Sequence, residues 1–421
     1  MNDTAVSRPA SEPQRIFYGW WIIGACFLIS LYVGAIIYYG FTAFMDPLVK
    51  EFGWSYTEVS FALSLRGVEM SLLAPVVGFL VDRYGPRRLA LAGIITISLG
   101  FLILSLTRSL WLFYASFLLI AFGGGGCTTV VFMRVVTNWF QRKIGLALGI
   151  LTSGFGASGL LVPAIVWLID AFGWRAAVVA IGLGLLVVGV PLVFVIRDTP
   201  EEYGLYPDGI KGEALPQRQT SAGDGAPEEV SFRDILKHKT FCYLAVTDGI
   251  RGAVVGAVIT HIMPYLNLLH ISRPTAGLIA GLIPILSILG RFGFGWLADF
   301  SDKRYILAIS SGLMTLGMFS LCYVDTGWVM IFFLLLFPTG FGGGVTLRGA
   351  ILQEYFGRGA FGRLIGMLIG ASSIGGVIGP TLAGFIFDSM GSYYPVWIAL
   401  GIASGGSIFL LLRIEPHAQG K

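Results

Sequence analysis

Residues 78–88 read GFLVDRYGPRR, and residues 295–304 read GWLADFSDKR. Each closes a long apolar run and turns abruptly to charge. Asp82 and Asp299 are 217 positions apart. The same offset separates Gly123 from Gly340, which open the glycine runs GGGG and GFGGG, and Pro163 from Pro380. Three separated landmarks at one offset mark an internal repeat. The chain is one structural plan used twice.

The plan is a membrane plan. Of 421 residues, 55% are hydrophobic and 12% charged, with mean hydropathy +0.79. Soluble domains carry about 25% charged residues. A spanning helix needs about 20 mostly apolar residues. The sequence offers twelve such stretches: 17–44, 56–81, 88–107, 110–138, 144–170 and 174–196, then 241–268, 274–299, 305–323, 327–355, 362–388 and 393–412. The reading is an all-α polytopic membrane protein with two parallel six-helix bundles. It divides into a tail (1–16), a first bundle (17–196), a linker (197–240), a second bundle (241–412) and a tail (413–421). The linker contains QRQTSAGDGAPEE, a flexible composition. SFRDILKHKTF at its end reads as a short amphipathic helix on the membrane surface.

Basic residues set the orientation. The tails, the linker and the loops on the termini's side hold 19 Lys and Arg. The opposite loops hold Lys50, Arg108, Arg175 and Arg273. Both termini are expected in the cytoplasm and the protein in the plasma (inner) membrane. The first 17 residues lack the basic end and short apolar core of a signal peptide. Cys26, Cys127, Cys242 and Cys322 lie in or beside apolar runs and read as buried free thiols. A net charge of +4 without a polybasic arm gives no sign of nucleic-acid binding. No His/Cys cluster has metal spacing, and no phosphate-binding G-x-x-x-x-G-K-[ST] is present. GFGASG (154–159) fits G-x-G-x-x-G only inside an apolar span, where small residues serve helix packing. No cofactor, metal or enzymatic activity is expected.

GFLVDRYGPRR resembles the major facilitator superfamily signature G-x-L-x-D-R-x-G-R-[KR], with Pro86 in place of the usual basic residue after the second glycine. A narrower likeness is to the monocarboxylate transporter and oxalate:formate antiporter branch. It rests on FMDPLVKEFGWSYTEVSF (44–61), on NWFQRKIGLALGI with FGWRAAV around span 5, and on G-R-x-x-x-G-x-L-A-D in span 8. The resemblance implies a carrier of small carboxylates, and Arg291 matches the arginine associated with substrate. The family's mammalian members place an aspartate one turn before that arginine and a lysine in span 1. Here the positions hold Ser287 and no lysine before Lys50. By the same resemblance, spans 3, 6, 9 and 12 face lipid, and Asp82, Arg83, Arg87 and Arg88, with Asp299 in the second half, form a cytoplasmic gate. GMLIGASSIGGVIGP (366–380) is similar to the antiporter motif of span 5, though it stands in span 11.

Intramembrane arginines are costly and need a wet cavity or a partner. There are five: Arg66, Arg134, Arg251, Arg291 and Arg348. Arg291 is read as a substrate-carboxylate anchor, the alternative being a structural salt bridge. The residue 217 before it is Ala74, so this cation belongs to one half only. Asp248 and Arg251 share a helical face; either they pair, or Asp248 carries a proton. Arg66 and Glu69 repeat the spacing, making Glu69 a second proton-site candidate. His261 and Tyr265 are candidates for the outer vestibule, with a hydrogen-bonded structural histidine as the alternative. Tyr38 or Tyr39 can offer a hydroxyl; only one of two neighbours on a helix points at a cavity, and Tyr38 is preferred. Arg348 is placed at an inner exit, and Arg134 is read as snorkelling to the membrane surface.

The expected function is secondary active transport of a small organic anion, foremost a monocarboxylate carried with a proton, by a protein functional as a monomer in the lipid bilayer. An anion exchanger of the oxalate:formate type is the alternative. A non-transporting membrane sensor is the remote one.

Overall fold

The computed structural model describes residues 17–127, 129–140, 144–206, 208, 238–298, 300–324, 327–356 and 361–415; the side chains of 66–75, 78, 82, 129–130, 144–145, 327, 353 and 361–363 lie outside that description. The described chain is almost wholly helical. Ten stretches of it are long and apolar enough to cross a membrane. One of them, Leu146–Val195, runs for 50 residues. It is broken at Gly173, whose φ of 79° and ψ of 158° are not helical, so it makes two spans. With Tyr56–Tyr84, the spans number twelve.

Span 1 begins at Tyr18 and runs as an α-helix to Val33. It then loosens into a π turn over Gly34–Tyr39, tightens into a 3₁₀ turn over Gly40–Phe44, and ends in a short helix, Met45–Phe52. Spans 2 and 3 are Tyr56–Tyr84 and Pro86–Ser105. Span 4 is built from Leu110–Gly126 and Thr129–Trp139. Span 5 combines Ile144–Ala157, a 3₁₀ turn at Ser158–Leu161 and the stretch of Val162–Val195 before Gly173; span 6 is the remainder. Spans 7 to 12 are Lys239–Leu268, Arg273–Ala298, Lys303–Leu321, Gly327–Phe356, Phe361–Met390 and Tyr394–Leu412. The expected surface helix at 231–241 falls mostly outside the described residues; Lys239, Thr240 and Phe241 open span 7.

Helix ends are capped where polar residues allow. Ser55 accepts from the Glu58 amide at 3.1 Å while its own amide donates to the Glu58 carboxylate at 2.9 Å. Such reciprocal caps contribute about 1 kcal/mol. Outward positions carry large apolar groups such as Trp111, Val187, Phe292 and Phe409, which suits a hydrocarbon solvent. Of the cysteines, Cys26 and Cys127 are buried, Cys322 is partly so, and Cys242 is exposed rather than buried.

Packing follows the repeat. Span 3 lies against spans 4 and 6, and span 9 against the equivalent spans 10 and 12. Span 1 lies against span 5, and span 7 against span 11. The two bundles meet along spans 2 and 11 and along spans 5 and 8. At the second seam the backbones touch: a Cβ on Gly281 would sit 2.5 Å from the Gly159 carbonyl oxygen. Only glycine on both sides permits that approach.

Candidate functional site

Between the bundles lies a cavity of about 360 Å³. Tyr38, Tyr39 and Leu63 form its first-half wall, and spans 7, 10 and 11 form the rest. Its two charged lining residues are Arg251 and Arg348. Arg251 is 6% exposed and ion-paired to Asp248, one turn earlier on the same helix. Arg348 reaches the same carboxylate from span 10, with Nη1 3.2 Å from Oδ2. Asp248 is 1% exposed. Two guanidiniums therefore share one buried carboxylate, and Nη1 of Arg251 has no hydrogen-bond partner among the described residues. The guanidinium fits because position 344 is glycine: a Cβ there would run into Nη1 of Arg251.

Tyr38 and Tyr39 both line the cavity, contrary to the expectation that one would. The cause is local. They close the π turn, whose wider winding breaks the α-helical phase on which that expectation rests. Tyr38 also packs edge-on against Phe155 at 5.7 Å.

Arg291 is half-buried and not among the lining residues. It lies near Tyr39. Its Nε is buried without a hydrogen-bond partner among the described residues. Ser287, one turn earlier, is fully buried and donates to the Pro284 carbonyl at 2.7 Å.

His261 and Tyr265 occupy packed positions rather than an open vestibule. His261 is completely buried. Its Nε2 lies 2.9 Å from the Pro380 carbonyl and 3.1 Å from the Ser60 hydroxyl, and its Nδ1 lies 2.9 Å from the Tyr393 hydroxyl. A carbonyl only accepts, so Nε2 carries the hydrogen and Nδ1 accepts from Tyr393. Tyr265 donates to the Leu321 carbonyl and packs against Tyr393 and Trp397.

The Ser60–His261 contact belongs to a set that joins the halves on the side away from the termini. Asp388 of span 11 accepts from the amides of Tyr56 and Thr57 at 3.1 and 2.8 Å, capping span 2 across the seam. Ser64 donates to the Val377 carbonyl at 2.5 Å. Arg273 pairs with Asp170 at 2.7 Å, and Asn267 donates to Asp46. Sequence reading missed this seal, because an acid near a helix end looks like a solvated loop residue.

The described residues among those expected to form a gate stand at the other end. Arg87 lies over the Phe194 ring at 5.3 Å and Arg83 over Tyr84 at 5.6 Å, both contacts inside the first half; Arg88 is exposed. Asp198 accepts from the Arg87 amide at 2.9 Å. Burial raises the Asp198 pKa above the usual carboxylate range, against the pull of that amide. In the second half Asp302 accepts from the Arg304 amide at 3.0 Å, and the Arg304 guanidinium holds its carboxyl below the usual range. The side chains of Glu69 and Asp82, and residue Asp299, lie outside the described residues.

The comparisons with known proteins agree with this architecture. The chain is 25% identical to monocarboxylate transporter 11 of Mus musculus, covering 96% of this chain and 89% of that protein. It is 25% identical to monocarboxylate transporter 13 of Bos taurus, over 97% and 91%. It is 24% identical to the uncharacterized MFS-type transporter YcxA of Bacillus subtilis, over 84% and 85%. Among solved structures, a bacterial homolog of the human lysosomal transporter Spinster, crystallised inward-facing and unoccupied, superposes with a TM-score of 0.71 at 15% identity, over 94% of this chain and 95% of that one. The family model of the Major Facilitator Superfamily matches residues 20–268 and 240–421. Twelve spans, a two-fold repeat and a cavity at the seam between bundles are thus the features of a multi-pass transporter, and the chain belongs to the Major Facilitator Superfamily.

Proposed function

We propose that the protein carries a small carboxylate together with a proton across the plasma membrane by alternating access, acting as a monomer with both termini in the cytoplasm. The observation that supports this reading most is the pair of guanidiniums on one carboxylate at the cavity wall. Arg251 and Arg348 are the substrate's cationic seat, with the Tyr38 hydroxyl beside them. Arg291, near Tyr39 but outside the lining, adds positive potential that draws the anion in.

Asp248 is the proton site in this scheme. In the empty carrier it is ionised and held by both arginines. A substrate carboxylate competes for Arg348, which presents the planar fork such groups prefer. Asp248 then sits buried with less counter-charge, a setting that favours its protonated form. Anion and proton would therefore load together. Bundles 17–196 and 241–412 would rock about the span 5–span 8 contact, opening the polar seal on one side as the other closes. Glu69 is the reserve proton site, and the 82–88 loop with Asp299 the gate on the termini's side.

The test is uptake into proteoliposomes with an imposed pH gradient and no internal anion. Accumulation that a protonophore abolishes is expected. Uptake that requires preloaded anion would instead establish the exchanger reading, which the several intramembrane arginines favour.

A further inference from the structure

The cavity wall is more selective than its charge alone. We infer that the substrate is a monocarboxylate with an apolar body, aromatic or branched, in preference to a short hydroxy acid or a dicarboxylate. The inference rests on the carboxylate reading above and deepens it.

The first argument is a count of charge. Two cations line the cavity, and one carboxylate, Asp248, already engages both. While Asp248 is ionised, as in the empty carrier that an anion meets, one positive charge is left over, so the seat first receives one negative charge. A second carboxylate would have to lie against the remaining walls. These combine apolar side chains such as Leu63, Val255, Ile259 and Val345 with hydroxyls such as Thr260 and Ser372, and carry no further charge. A second carboxylate there would find neutral hydroxyls but no counter-charge for the hydration it loses.

The second argument is shape. The charges sit together on spans 7 and 10, and apolar side chains continue from them along spans 2, 7, 10 and 11. A formate, oxalate or lactate ion would fill the charged end alone. The cavity, at about 360 Å³, falls within the range that holds larger organic ligands. An aryl or branched alkyl group would cover the apolar walls and displace water from them. Each methylene buried there should tighten binding roughly fourfold.

The third observation is the unpartnered Nη1 of Arg251, on a side chain more than nine-tenths buried at this wall. A buried donor without an acceptor is costly. Nη1 itself is sealed against Gly344, so a ligand carboxylate gains this donor only when the guanidinium turns toward the cavity, with the ligand's body on the apolar side.

The experiment is a binding series on the purified full-length protein, read by thermal shift and by competition. The probes are acetate, butyrate, 4-methylvalerate, phenylacetate, lactate, oxalate and succinate. Affinity is expected to rise from acetate to phenylacetate, with lactate near acetate and the two dicarboxylates weakest. A flat series, or oxalate or succinate binding tightest, would overturn the inference while leaving the carboxylate reading standing. Binding by none of the seven, to protein that still melts cooperatively, would overturn both. Two variants separate the ends of the cavity. Arg251→Gln should weaken every ligand together. Val345→Ser should narrow the ratio of phenylacetate to acetate affinity several-fold, and an unchanged ratio counts against the apolar wall.

Discussion

The two halves of the molecule share one plan, yet they treat charge differently. Shifted by 217 positions, Asp248, Arg251, Arg291 and Arg348 fall on Leu31, Gly34, Ala74 and Val131. Every charged member of the candidate site thus has an uncharged counterpart. The reverse holds for the tyrosines: Tyr38 and Tyr39 correspond to Val255 and Gly256. At the membrane edge the halves agree instead. Trp139 donates to the Arg197 carbonyl at 2.8 Å, and Arg304 to the Ile414 carbonyl, 217 later, at 2.6 Å. Asn138 donates to the Asp198 carbonyl at 2.9 Å, and Tyr355 to the equivalent Glu415 carbonyl at 2.8 Å. Structural bonds survive the repeat with different side chains making them. The candidate site stands where the repeat is broken.

The strongest way to break this comparison is to remove the asymmetry. Arg251→Gln takes away the buried cation and leaves Asp248 with Arg348 alone. Losing one partner of a buried charge pair costs about 2–5 kcal/mol, so uptake at limiting substrate should fall roughly 100-fold or more. Near-normal uptake would show that the charged half is not where substrate binds. Gly344→Cys makes position 344 match its first-half counterpart, Cys127. The new Cβ would displace the Arg251 guanidinium. Roughly tenfold weaker binding is expected by competition, with folding retained by thermal unfolding.

Smaller effects sharpen the comparison at the seams. Asp388→Ala removes the cross-half cap of span 2, a loss of about 1 kcal/mol. A cysteine placed at Thr57 should then react faster with a membrane-impermeant thiol reagent; an unchanged rate would mean the cap does not hold the seal.

The smallest effect concerns the two capped amides of Arg87 and Arg304. Asp302 has a depressed pKa, so its stabilisation is present above the ordinary carboxylate range and is lost as pH falls through its folded value. Asp198 has a raised pKa, so its folded form gains on acidification and that gain is lost as pH rises through its folded value. Asp302→Asn should lower stability at neutral pH by up to about 1 kcal/mol, since Asp302 is exposed although its partner Arg304 is buried. Asp198→Asn keeps the acceptor for Arg87 and should be neutral or slightly stabilising. Thermal unfolding across the acid range measures both, and equal responses would mean the two caps are equivalent.

Much of the fold was legible in the sequence. Long apolar runs are unambiguous, and span 2, expected over 56–81, is Tyr56–Tyr84. The bend of span 1 was not legible, because Gly34–Phe44 contains no proline to announce it. In the site, the Asp248–Arg251 pair could be read from its three-residue spacing. The arrival of Arg348 on the same carboxylate could not, since it depends on how span 10 lies against span 7. Leu63 and Val345 were invisible for a simpler reason: an apolar residue facing a cavity reads like one facing lipid. Arg291 drew attention as a lone cation in a conspicuous motif, while the residues lining the cavity carried less conspicuous signals.

The seal on the side away from the termini is made largely of hydrogen bonds between hydroxyls, amides, an imidazole and carboxylates. Each is a bond that water can replace, contributing only about 0.5–1.5 kcal/mol net between neutral groups and about 1.5–3 kcal/mol where a carboxylate accepts. His261 sits among them as a neutral spacer, its hydrogen fixed by the Pro380 carbonyl. A seam so built can unzip bond by bond, with water following in from its rim. Rings such as Tyr56 and Phe387, which pack edge-on across the same seam at 5.0 Å, part with those bonds, and the closed state is tight without being permanent.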